Sequence, residues 1–124
     1  MRRRGNETQY LFEGAEMSGW VGVDLDGTLA EYNGWKGAHS IGEPIPEMLN
    51  RVTAWLANGI EVRIFTARAS VPEQIPPIQE WCLKHIGIVL TVTNVKDFGM
   101  IELWDDRAVR VVSNKGVPCC GYRD

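Results

Sequence analysis

Trp20-Val21-Gly22-Val23 runs without a break into Asp24-Leu25-Asp26-Gly27-Thr28. A short apolar run of this kind is the pattern of a buried parallel strand. Two carboxylates one residue apart follow it, and a glycine turns the chain. Both acids then emerge at the carboxyl end of a strand, the edge at which open α/β sheets bind their ligands. Two acids in such a crevice repel each other and resist desolvation, so a cation or a reaction must use them. That requirement narrows the fold to an α/β sheet and marks its working edge.

The rest of the chain supplies the alternation that such a sheet needs. Ile45, Met48, Leu49, Val52, Trp55 and Leu56 recur at helical spacing after Pro44 and Pro46, and Asn58-Gly59 closes the helix. Ile60 to Phe65 reads as the second strand. A helix from about Pro77 to His85 buries Ile78, Trp81, Cys82 and Ile86, and Gly87 ends it. Ile88 to Thr93 is the third strand, 94–99 a loop, Ile101 to Trp104 the fourth strand, and Ala108 to Val112 a fifth. Strand and helix in strict succession predict right-handed crossovers. The expected architecture is a three-layer α/β/α Rossmann-like sandwich with a mostly parallel sheet. Residues 19–113 form the core, 1–18 an extension expected to be dispensable, with Gln9 to Phe12 as an edge-strand candidate, and 114–124 a polar tail.

Charge and cysteine usage remove several classes of function. A formal net charge of −3 argues against general nucleic-acid or membrane-surface binding, though not against a small nucleotide. No apolar run approaches the ~18 residues of a membrane span. Cys82, Cys119 and Cys120 are odd in number, and two are adjacent, which suits neither a disulfide framework nor a zinc knuckle. A reducing cytoplasm is the expected setting.

Four strand ends carry reactive side chains: Asp24 and Asp26, Thr66, Lys96, and Asp105-Asp106. A parallel sheet brings such ends to one edge, so residues about 80 apart in sequence can share a cleft. Clustered carboxylates without a nearby histidine point to Mg²⁺ rather than zinc. One carboxylate in such a cluster can attack phosphorus and a second can handle the proton. A hydroxyl and an ammonium suit phosphoryl oxygens. Two simpler readings of the acids fail. A hairpin turn at Asp26-Gly27 leaves Asp105 and Asp106 unexplained. A calcium-binding EF-hand loop is excluded because Leu29 and Trp35 stand where it requires glycine and glutamate.

Asp24-Leu25-Asp26-Gly27-Thr28 resembles the D-x-D-G-T motif of the haloacid dehalogenase superfamily. Ile64-Phe65-Thr66 resembles its second motif, Lys96 its third, and Leu103-Trp104-Asp105-Asp106 the paired-acid form of its fourth. The motifs come in family order over residues 20–106. The resemblance implies Asp24 as nucleophile and Mg²⁺ ligand, and Asp26 as general acid/base with its main-chain carbonyl on the metal. It implies Thr66 and Lys96 as holders of the phosphoryl group, with Lys96 offsetting the charge of Asp24. Asp105, alone or with Asp106, would complete the metal site. An acid at position 26 favours phosphate-ester hydrolysis over dehalogenation. The intervals between motifs leave no room for a cap, and capless members act on large or exposed phosphates, so a nucleotide or a nucleic-acid end is the substrate class implied by analogy.

Arg68 is a further candidate for contact with substrate phosphate. The loop 30–43 is long for a connection of its type and carries Trp35, Lys36 and His39 as flap candidates. Trp35 either stacks on a base or anchors its own loop. The alternative to an enzyme is a protein of the same fold that binds or regulates without turnover.

Overall fold

The computed structural model describes residues 19–120. The extension 1–18, with its edge-strand candidate, and residues 121–124 lie outside the described residues. Four strands form one parallel sheet: β1 (Trp20–Val23), β2 (Glu61–Phe65), β3 (Thr91–Thr93) and β4 (Met100–Trp104), in the spatial order β3-β2-β1-β4. Helices α1 (Pro46–Ala57) and α2 (Ile75–His85) form the first two crossovers. Among the described residues no helix is long and apolar enough to cross a membrane.

Side chains alternate across a strand, so each strand offers one set to each face of the sheet. Val21, Val23, Val62 and Ile64 face one way, and there they meet Met48 and Val52 of α1 and Ile78, Trp81 and Cys82 of α2. Both helices therefore lie on a single face. That follows from right-handed crossovers stepping twice in the same direction, from β1 to β2 to β3. Trp104 also turns to this face and meets Trp55 edge-on at 5.3 Å.

The opposite face carries no helix among the described residues. The chain returns from β3 to β4 through the six residues 94–99, too few for a helical crossover. Trp20 lies on this face, stacked on Phe65 and under the Arg63 guanidinium at 4.5 Å. Its indole N–H donates to Asp97 at 2.8 Å, which fastens the return segment to the sheet. The expected α/β class and parallel sheet are present, whereas the described residues build two layers and a strap.

Three boundaries differ from the sequence expectation. The stretch 108–112 forms no strand, only an isolated bridge from Val111 to Pro118, because the chain folds back on itself with Cys119 N donating to Arg110 O. Helix α2 begins at Ile75, after 3₁₀ turns at Ala67–Ser70 and Pro72–Gln74 that the prolines impose. Strand β3 starts only at Thr91, since Ile88 and Val89 are exposed and lie outside the ladder.

Candidate active site

The sheet order reverses at β1. Successive strands step away from it on one side, and β4 returns to its other side. Ligands of open α/β sheets bind at such a switch point, beyond the carboxyl ends of the strands. Register puts Val23 level with Trp104, and Asp24 N donates to Trp104 O at 2.9 Å, so the acids ending β1 and β4 are neighbours.

Local geometry explains the spacing of the first motif. Leu25, between the two acids, is fully buried in the core. Its carbonyl accepts from Leu29 N and Ala30 N, which curls the chain beneath Asp24. Gly27 sits at φ +89°, and a Cβ there would come within 2.5 Å of an Asp106 carboxylate oxygen. Only glycine permits both the turn and that approach. Thr28 closes the gap from the other side. Its hydroxyl oxygen accepts from Asp106 N at 3.0 Å, and its O–H faces Asp106 Oδ1 at 3.1 Å and Asp24 Oδ2 at 3.5 Å.

Asp24, Asp105 and Asp106 bring their carboxylates within 4.8 Å of one another. Among the described residues no lysine or arginine forms an ion pair with any of the three. Asp24 is consequently pushed up to about 7, first by burial, then by the charge of Asp105 and by the hydrogen bond and charge of Asp106. Three unopposed oxygen donors of this kind suit a hard divalent cation, Mg²⁺ in particular.

Thr66 ends β2, with its N–H on Thr93 O, and is 3% exposed. Its hydroxyl oxygen caps the following turn by accepting from Arg68 N at 3.1 Å. The cap uses the oxygen as acceptor and leaves the O–H as a donor toward the cleft it lines. The cleft, about 710 Å³, is bounded by Asp24, Asp26, Thr66, Asn94, Asp105 and Asp106.

Two candidates are placed otherwise than the sequence implies. Arg68 lines the cleft with its guanidinium committed to an acid. It is 6% exposed and grips Asp26 with a two-pronged ion pair, Nε to Oδ2 and Nη2 to Oδ1, both 2.8 Å. Its Nη1 and Nη2 also donate to Ala38 O and Ser40 O. Lys96 stands apart, exposed in the segment 94–99 and absent from the cleft walls, where Asn94 appears instead. Lys36 and His39 are exposed on the 30–43 loop.

The role of Thr28 and the burial of Arg68 escaped sequence reasoning. Thr28 stood inside the motif, but nothing in the sequence said which carboxylate it would touch. An arginine three residues past a strand reads as a solvated loop residue, and only the fold reveals its partner.

The raised Asp24 carboxyl has a measurable consequence. In the unfolded chain this group ionises near 3.8, and in the metal-free fold only near 7. Its stabilising contribution is thus fully present below about 3.8 and is lost as pH rises toward 7. A cation displaces the proton, so apparent Mg²⁺ affinity should fall about tenfold per pH unit below 7. Thermal melts should show Mg²⁺ raising the midpoint much more at pH 8 than at pH 5.5. Equal shifts at both pH values would contradict the assignment.

No family model, curated protein or solved structure matches the chain.

Proposed function

We propose that the protein is a Mg²⁺-dependent phosphohydrolase of the haloacid dehalogenase type, cleaving a phosphate monoester through an aspartyl-phosphate at Asp24. The observation that carries this reading is the convergence of Asp24, Asp105 and Asp106 at the β1/β4 switch point. The order β3-β2-β1-β4 supports the Rossmann-like assignment, and a full three-layer sandwich would need a helical layer over the Trp20 face. By analogy with capless members, the substrate is a nucleotide or a nucleic-acid end.

On this reading an Asp24 oxygen attacks phosphorus and the bond to the leaving alcohol oxygen breaks. Asp26, which enters this step as the neutral acid, gives that oxygen its proton and leaves the step as the carboxylate that pairs with Arg68. Water then attacks the phosphorus, Asp26 takes its proton, and the bond to Asp24 breaks to release inorganic phosphate. The ion pair with Arg68 orients Asp26 for the second half. Proton delivery in the first half requires one Asp26 oxygen to leave that pair. The Thr66 hydroxyl donates to a phosphoryl oxygen, and Lys96 is assigned to the same group on the resemblance alone. Asp24, Asp105, Asp106 and the Asp26 carbonyl would hold Mg²⁺, which when bound supplies positive charge against the phosphoryl oxygens. A cytoplasmic setting belongs to the same reading, in keeping with the three free cysteines.

The alternative, a protein that binds without turnover, draws on the absence of Lys96 from the cleft walls. Hydrolysis of p-nitrophenyl phosphate separates the two. Turnover is expected with Mg²⁺ and should vanish with a chelator. Absence of turnover in both conditions would favour the binding protein.

A further inference from the structure

The loop 30–43 is pinned at its neck. Glu31 N donates to Glu43 O at 2.9 Å, and the Trp81 indole N–H donates to Gly42 O at 2.8 Å. A Cβ on Gly42 would collide with the Glu31 carbonyl, so the two strands of the neck lie in direct contact. Farther out, Arg68 reaches up from the turn after β2 and holds Ala38 O and Ser40 O. The loop is thus closed by main-chain bonds and one guanidinium, as in a compact Ω-loop.

Trp35 packs against the guanidinium that closes the loop but is not covered by it. The Arg68 guanidinium lies 4.8 Å from its ring centroid, yet the residue remains 54% exposed. An anchoring tryptophan would be buried, as Trp81 is at 6%. Trp35 instead lines the same cleft as Asp24 and Asp106, together with Tyr32 at 46% exposure. One wall of the phosphate cleft is therefore an uncovered aromatic surface, backed at Trp35 by Arg68.

We propose that Trp35 is a stacking platform for a flat ring carried by the substrate, and that the substrate is a nucleoside monophosphate. Arg68 is its positioning residue. The proposal rests on the phosphohydrolase reading for the phosphate end of the ligand, while the ring end rests on the loop. The cleft volume is in the range of a small-molecule site, far larger than a phosphate needs. A sugar phosphate would leave the aromatic wall unused. The net charge of −3 disfavours a long polyanion, which selects the mononucleotide over a nucleic-acid end. Arg68 holds Asp26 and the loop through four of its five N–H groups, so the base-binding wall and the proton-handling acid are set by one side chain.

The test compares nucleoside 5′-monophosphates with ribose 5-phosphate, which differs by the base alone. The ratio of their kcat/KM values should be roughly 10- to 100-fold in favour of the nucleotide, the worth of one stacked base. In Trp35→Ala the ratio should collapse toward one, chiefly through KM, and Trp35→Phe should restore most of it. Arg68→Lys should lower the ratio as well, because a single ammonium cannot hold Asp26, Ala38 O and Ser40 O together. A ratio near one in the wild type, or a ratio unchanged in Trp35→Ala, would overturn the proposal. So would a tenfold or greater preference for a phosphorylated oligonucleotide over the mononucleotide. If neither ester is hydrolysed, the phosphohydrolase reading fails, and calorimetry decides the ring site separately. Binding of the nucleotide to the Mg²⁺-loaded protein, lost in Trp35→Ala, would uphold it, and no binding would end it.

Discussion

Replacing Asp24 with asparagine should abolish Mg²⁺-dependent hydrolysis of p-nitrophenyl phosphate, lowering kcat by about 10⁴-fold or more, as loss of a covalent nucleophile does. The physical basis is double. An amide nitrogen cannot attack phosphorus, and its oxygen is a weaker cation ligand than a carboxylate. Folding should survive, because the metal-free fold already carries Asp24 with a pKa of about 7 and accommodates its neutral form. Asp24→Asn should therefore melt no lower than wild type at pH 8 without Mg²⁺, and it should lose most of the Mg²⁺-induced rise in melting temperature. A variant that still turns over at a tenth of the wild-type rate would remove Asp24 from the role of nucleophile.

Asp26→Asn is the second large effect, and it separates proton handling from phosphorus attack. Turnover should slow by roughly 10²–10⁴-fold, the usual worth of a general acid/base. The loss should be greater for an alkyl phosphate than for p-nitrophenyl phosphate, whose leaving group departs without a proton. Stability should drop too. Asparagine can accept from one prong of Arg68 but turns its own N–H groups against the other. Breaking a buried pair costs about 3–5 kcal/mol, and Asp26, with 22% of its side chain exposed, belongs at the lower end. Rates measured below the lowered melting point would isolate the chemical effect. Unchanged rates on both esters would exclude Asp26 from acid/base work.

The parts of the molecule written in local pattern were readable from sequence. Apolar spacing located α1 almost residue by residue, and the buried Leu25 between two acids is the alternation of a strand carried one step past its end. Strand order was not readable, because parallel pairing of β1 with β4 depends on contacts between residues far apart in the chain. The run 108–112 has strand-like composition but pairs only through a single bridge to Pro118 and joins no sheet, so composition alone misled there. Arg68 shows the same limit within the site: an arginine reads as solvent-exposed until a fold supplies it with a half-buried carboxylate. Thr66 joins both kinds of information, since its capping bond is local and its place in the cleft is not.

The pairing of β1 with β4 also bears on how the molecule assembles. Thr28 and Asp106 touch although they stand 78 positions apart in the chain, whereas β1, α1 and β2 can associate through nearer neighbours. Closing so long a loop brings an entropic delay that short-range crossovers do not share. The helical face can thus collapse early around Val21, Val62 and Ile64, with the acidic cluster completed only when β4 docks. Because Asp24 and the Asp105-Asp106 pair meet only in that last step, capture of a divalent ion during refolding reports the finished sheet, not its beginning.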